Sequence, residues 1–213
     1  MTDTHRQLHV IDHPIIADML RQVRDRRTSA AVFRRLLGQV GALLAYEATR
    51  DLPTEPADVD TPLETMAARR LRMPVTVVPI LRAGLGMADG IHDLLPDARF
   101  GHIGLARNEQ TLQATSYYQK LPADIAAGPV LLVDPMLATG GSAASAAALL
   151  RQRRCPDIRL ICLVAAPEGV QKLTQACPDI PIYSGALDRQ LNEKGYILPG
   201  LGDAGDRLFG TEG

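Results

Sequence analysis

The sequence predicts an α/β fold: a mostly parallel central sheet flanked by helices. Three observations carry this. From Pro74 onward, short apolar, β-branched runs alternate with stretches of helical character, the order expected of βαβ crossovers. Small-residue turns follow two of those runs, Arg82-Ala83-Gly84-Leu85-Gly86 and Ala138-Thr139-Gly140-Gly141-Ser142. Hydrophobic residues make up 46% of 213, enough for one full-sized core, so the whole chain, 1–213, is expected to form a single domain.

Taken in order, residues 1–73 are expected to be a largely helical N-terminal part. Val10 and Ile11 suggest a brief strand, and two amphipathic helices are expected near 14–25 and 29–48. In the second, Val32, Phe33, Leu36, Leu37, Val40, Leu43 and Leu44 recur at helical spacing and should face the core. The charged run 24–27 reads as a solvated helix face. Pro53, Pro56 and Pro62 punctuate an acidic loop, and 63–72, with Arg69, Arg70 and Arg72, reads as a short basic-faced helix or a connector packed on the core. The α/β core should occupy 74–186. Strands are expected at 75–81, 99–105, 116–121, 130–133, 158–165 and 182–186, and helices at 86–95, 143–150 and from Pro167. The polar segment 106–114 reads as a projecting loop or hairpin. The glycine-rich tail 187–213 is too long for a connector and is expected to be an ordered functional loop.

The formal net charge of −1 argues against bulk electrostatic binding of nucleic acid. Three cysteines without metal-ligand spacing suggest a reduced, cytoplasmic chain. No apolar run suggests a signal peptide or a membrane span.

Residues 130–142, VLLVDPMLATGGS, carry the strongest chemical signal. An apolar strand ends in Asp134, then comes a glycine turn, then an Ala-rich helix. Ligands bind at the carboxyl ends of strands in open parallel sheets, and a helix N-terminus suits a phosphate. An ordinary strand–helix turn with Ser142 as N-cap is the alternative. Arg82, at the exit of another strand, should lie on the same sheet edge as Asp134. With Arg107 in the polar loop it suggests clamps for a polyphosphate, whose charge calls for a divalent cation such as Mg²⁺ carried mainly by substrate oxygens. In the tail, Asp188, Glu193, Asp203 and Asp206 lie among glycines. Gly200, Gly202 and Gly205 suggest special backbone angles there, with the solvated loop as the alternative. The spacing 200–205 fits G-x-G-x-x-G, but too little chain follows for a helix and a return strand, so a dinucleotide site is not expected.

These residues also carry a resemblance. YEATRDL at 46–52, VPILRAGLGM at 78–87, DPMLATGGS at 134–142, LVAAPEG at 163–169 and LNEKGYILPGLGDAGDRLFGT at 191–211 resemble the uracil phosphoribosyltransferase family, of the type I phosphoribosyltransferase fold. The resemblance implies transfer of the phosphoribosyl group of phosphoribosyl pyrophosphate (PRPP) to uracil, giving UMP and pyrophosphate, assisted by Mg²⁺. It implies a small hood built from the N-terminal helices, the 106–120 segment and the tail. It assigns PRPP to Asp134, Pro135, Met136, Leu137, Ala138, Thr139, Gly140, Gly141 and Ser142, with Asp134 at the ribose hydroxyls and 138–142 at the 5′-phosphate. Arg82 and Arg107 would hold pyrophosphate. Ile197, Gly202, Asp203 and Ala204 would hold uracil, and Asp203 would also meet PRPP or its metal. The resemblance further implies a homodimer or larger assembly and GTP as a candidate activator. The competing expectation is an RNA-binding regulator on the same fold, using a basic face of Arg24, Arg26, Arg27, Arg69, Arg70, Arg72 and 151–154.

Overall fold

The computed structural model describes residues 7–107 and 114–211. The chain opens with strand β1 (Leu8–Val10) and helices α1 (Pro14–Arg24) and α2 (Ala30–Ala48). Pro14 stands in the first turn of α1, where its missing N–H costs nothing, and Ser29 caps α2. Of the expected core positions in α2, Phe33, Leu36, Leu37, Val40 and Leu44 are buried, and Val32 and Leu43 are partly buried.

The next segment departs from expectation. It is neither a helix nor a connector on the core but an antiparallel hairpin of β2 (Thr54–Asp60) and β3 (Thr65–Leu71), exposed along most of both strands. An acidic strand faces a basic one. Glu55 lies opposite Arg70 and binds it at 2.8 Å, and Asp60 accepts from Thr65 Oγ1 at 2.6 Å. One cross-strand ion pair and hydrogen bonds from Thr65 and Arg69, rather than burial, hold the two strands in register.

The core then follows the expected alternation: β4 (Thr76–Leu81), α3 (Leu85–Leu94), β5 (Arg99–Phe100), β6 (His102–Arg107), β7 (Ala114–Lys120), β8 (Val130–Val133), β9 (Met136–Leu137), α4 (Gly141–Gln152), β10 (Ile158–Ala165), α5 (Pro167–Ala176) and β11 (Ile182–Leu187). The main sheet runs β1-β11-β10-β8-β4-β6-β7, with β5 on β4 and β9 on β10. All its pairings are parallel except β6 with β7, an edge hairpin whose residues 108–113 lie outside the described set. Side chains of β8 alternate between two cores. Leu131 and Val133 join the cluster containing α1 and α2, while Val130 and Leu132 join the one containing α4 and α5. The N-terminal helices are therefore a layer of the core rather than a hood over it. Of the expected hood, the tail lines a cleft at the strand ends, through Asp203 and Gly205, beside Leu105 of β6.

The tail is ordered, with β12 (Gln190–Leu191), β13 (Ile197–Leu198) and the short helix α6 (Ala204–Phe209). No strand returns to the sheet after α6 among the described residues, so the glycine spacing at 200–205 builds no dinucleotide fold. No described helix is long and apolar enough to cross a membrane.

This topology places a crevice. From β4 the chain moves outward to β6 and β7, then returns to β8 and proceeds the other way to β10 and β11. The switch point lies between the carboxyl ends of β4 and β8, where open α/β sheets bind ligands.

Candidate active site

At that switch point lies a cleft of about 300 Å³, lined by Ile80, Leu81, Arg82, Ala83, Leu105, Asp134, Met136, Ser142, Asp203 and Gly205. Four chain segments far apart in sequence meet there: the end of β4 and the turn after it, β6 at Leu105, the stretch from Asp134 to the start of α4, and the tail. Arg82 and Asp134 do share one sheet edge, as their strands are direct parallel neighbours.

Asp134 follows β8 and is only partly exposed. Burial is the main reason its carboxyl is pushed up to about 7, and nearby Asp203 adds to the shift; the Met136 N–H, donating at 3.4 Å, opposes it. Two acids, Asp134 and Asp203, thus line one small cleft together with Arg82.

The glycine turn is built by close packing. Gly140 has φ of 76°, a left-handed conformation that favours glycine, and occupies the N-cap position of α4. Ser142 is therefore inside the helix rather than its cap, and no side chain caps the first turn. The leading N–H groups of α4 are left for a ligand. A Cβ on Gly169, in α5, would fall 2.4 Å from the Ala138 carbonyl oxygen, and one on Gly140 would fall 2.7 Å from that of Gly169. Likewise a Cβ on Gly84 would fall 2.5 Å from the Val133 carbonyl oxygen. Three glycines let three backbones converge on the cleft.

Arg82 is half-exposed, meets Asp206 of α6 at 3.2 Å and lies 5.6 Å from the Phe209 ring centroid. Asp203 caps α6, its Oδ1 accepting the Asp206 N–H at 3.0 Å. The pyrophosphate and base ends assigned by the resemblance are thus joined through one short helix. Arg107 ends β6, with its side chain outside the described residues. Ile197, Gly202 and Ala204 do not line the cleft; Ile197 and Ala204 are buried in the core beside it, at 7% and 0% exposure. Gly205, whose Cβ would sit 3.2 Å from Asp203 Oδ1, lines it instead. Gly200 and Gly202 have positive φ as expected, at 62° and 81°, whereas Gly205 does not and is small for reasons of space.

Sequence reasoning missed the groups that hold the tail. Arg24 is not part of a solvated face: it makes a forked pair with Asp188, at 2.8 and 2.7 Å. Asp188 is 8% exposed, not solvated. Arg207 donates to the carbonyls of Val23, Asp25 and Leu201 at 2.6–2.7 Å and lies 4.2 Å from the Phe33 ring centroid. Their partners lie up to 184 residues away, so no local pattern announces them. The basic face expected of a regulator is also broken up: Arg24 pairs with Asp188, Arg27 with Asp25, Arg70 with Glu55 and Arg151 with Asp179.

Comparison with known proteins is consistent with this geometry. The family model described as uracil phosphoribosyltransferase matches residues 10–211. A uracil phosphoribosyltransferase of Acholeplasma laidlawii is 53% identical over 206 residues, covering 97% of this chain and 99% of that protein. One of Staphylococcus aureus (strain Newman) is 54% identical over 207 residues, with the same coverage of 97% and 99%. A solved structure of an Aquifex aeolicus protein superposes with a TM-score of 0.91 at 36% identity, covering 95% of this chain and 97% of that one. A hypoxanthine phosphoribosyltransferase of Staphylococcus aureus, at 14% identity and a TM-score of 0.52, covering 74% of this chain and 76% of that one, shares the fold alone. By family match, full-length identity and fold, the chain belongs to the uracil phosphoribosyltransferase family.

Proposed function

We propose that the protein transfers the phosphoribosyl group of PRPP to N1 of uracil, giving UMP and pyrophosphate, and that the cleft between β4, β8 and the tail is where it does so. The observation that carries this reading is the convergence of Arg82, Asp134, Ser142 and Asp203 on one cleft at the switch point, in a chain of that family. The turn 138–142 and the first turn of α4 receive the 5′-phosphate. Asp134 grips the ribose hydroxyls beside the reacting carbon. Arg82 and Arg107 neutralise the leaving pyrophosphate, which is the main electrostatic task as the anomeric carbon gains oxocarbenium character. Uracil enters on the tail side of the cleft, which Asp203 and Gly205 line, and backbone groups of the adjoining Ile197 and Gly202–Ala204 segment hold it so that N1 meets the face opposite pyrophosphate, with inversion. Alignment of the two reactants supplies much of the remaining acceleration. Asp203 is the candidate acceptor for the N1 proton.

Mg²⁺ fits the donor set. Among the described residues no group of three or more His, Cys, Asp or Glu forms a metal cage, while Asp134 and Asp203 both line the cleft. Asp203 and PRPP oxygens would hold such an ion, which when bound supplies charge neutralisation of the pyrophosphate. The protein is also read as a homodimer or larger assembly. On the β2–β3 hairpin Val59, Leu63 and Met66 are 45%, 95% and 50% exposed, and an isolated two-stranded hairpin has little stability of its own in water.

The deciding assay measures UMP from uracil, PRPP and Mg²⁺, with and without GTP as the activator the family resemblance implies. Wild type is expected to form UMP, Asp134→Asn and Arg82→Ala to form far less, and cytosine to be a poor substitute, since it reverses the donor and acceptor at N3 and position 4. No UMP from well-folded wild type under either condition rejects the reading.

A further inference from the structure

Gly200 is the midpoint of the segment read as holding uracil, with Ile197 before it and Gly202–Ala204 after it. Its peptide groups are gripped from both sides. Its N–H donates to Asp188 Oδ2 at 2.9 Å, and its carbonyl accepts from Arg24 Nη1 at 2.8 Å. Arg24 in turn donates to Asp188 from both terminal guanidinium nitrogens, Nη1 to Oδ2 at 2.8 Å and Nη2 to Oδ1 at 2.7 Å. The result is a closed ring of charge-assisted hydrogen bonds joining the end of α1, the residue after β11 and the base segment. Both side chains are well shielded, at 23% and 5% exposure, so water and salt compete poorly for these bonds. Gly200 itself has no freedom to choose another place: its φ is 62°, and a Cβ there would fall 2.2 Å from the Ile197 carbonyl oxygen.

Neither Arg24 nor Asp188 lines the cleft. The core does not require them, as α1 is already anchored through buried Ile16, Leu20 and Val23. A buried ion pair gains little net stability over an apolar replacement, but its directional bonds fix geometry, and here the fixed object is the backbone of one residue, held at the peptide groups on both sides of it. We infer that Arg24 and Asp188 are positioning residues for base recognition: they hold the Gly200 backbone so that the segment on either side presents its hydrogen-bonding groups to uracil. This inference rests on the proposed function. It assigns a role in substrate selection to a residue of the first helix, 176 positions from the carbonyl it holds.

Arg24→Lys and Asp188→Asn test it, with thermal melts to confirm folding. Lysine keeps the charge but cannot make the fork and reach Gly200 together. Asparagine keeps the shape but not the charge. The expected result is a KM for uracil raised about tenfold in each variant, with KM for PRPP within about twofold of wild type, because loosened alignment is felt by the group it positions. A general structural role would instead lower the active fraction and leave both KM values alone. Unchanged KM for uracil in folded, active variants overturns the inference and leaves the proposed function standing. Loss of folding in both overturns it too, since the pair would then support the whole protein rather than one loop. An inactive wild type removes both readings together.

Discussion

The two halves of the cleft are held by opposite means. The phosphate turn is made of consecutive residues rooted in β8 and α4, and it is fixed by backbone packed on backbone at glycines. The base segment hangs on the tail and is fixed by Arg24, which reaches Gly200 from the first helix, and by Arg207, which joins Leu201 to Val23. One half depends on volume and the other on ion geometry. A changed charge at Arg24 or Asp188 should therefore damage the base segment and spare the phosphate turn, and an added methyl group at Gly169 should do the reverse.

Gly169→Ala is the largest test of that contrast. Its new Cβ would meet the Ala138 oxygen at 2.4 Å and the Leu137 oxygen at 2.6 Å, both backbone atoms that cannot rotate away. The turn must shift as a unit. The expected cost is about 100-fold in kcat/KM for PRPP, since misplacement by about 1 Å has that scale, with about 1–3 kcal/mol of lost stability from overpacking. Affinity for uracil analogues, measured by calorimetry, should change little. Equal losses for both ligands would show that the halves are one rigid unit.

Asp134 stands between them and should behave differently in stability than in activity. Its carboxyl titrates at about 7 in the folded chain against an ordinary 3.8. Between those values the unfolded chain sheds its proton first, so the ligand-free protein loses stability as pH rises through this window, and the loss is complete above it. Asp134→Asn removes the titrating group. At pH 8 the ligand-free variant should be more stable than wild type by about 1–3 kcal/mol, and at pH 4 the difference should vanish. Denaturant melts at the two pH values check this. A variant less stable than wild type at pH 8 would mean that hydrogen bonding to the carboxylate outweighs its burial.

The same contrast explains what could be read in advance. The strand, acid, glycine turn and helix at 130–152 were legible because β-branched residues, small residues and alanines follow one another within one local unit. So were α1 and α2, from amphipathic periodicity. Arg24 was not, because its meaning lies in Asp188, 164 residues away, and locally it is one charge in a run of charges. The β2–β3 hairpin was hidden for another reason. Exposed mainly on both faces, it has no apolar alternation to betray a strand, and Pro56 argues against one. The signal it does carry is an acidic segment complementary to a basic one, and that is visible only once the two are paired.

That hairpin supplies the control for the whole comparison, and the smallest expected effect. Leu63 at its tip is 95% exposed and belongs to neither core cluster. Leu63→Ser removes no buried contact within the subunit, so the melting behaviour should stay within about 0.5 kcal/mol of wild type. If the hairpin's apolar side chains instead meet a second copy, the variant should shift toward a smaller species in concentration-dependent sedimentation while the KM values for uracil and PRPP remain those of wild type. A rise in either KM would tie the hairpin to the cleft, and the two halves could no longer be treated as built within a single subunit.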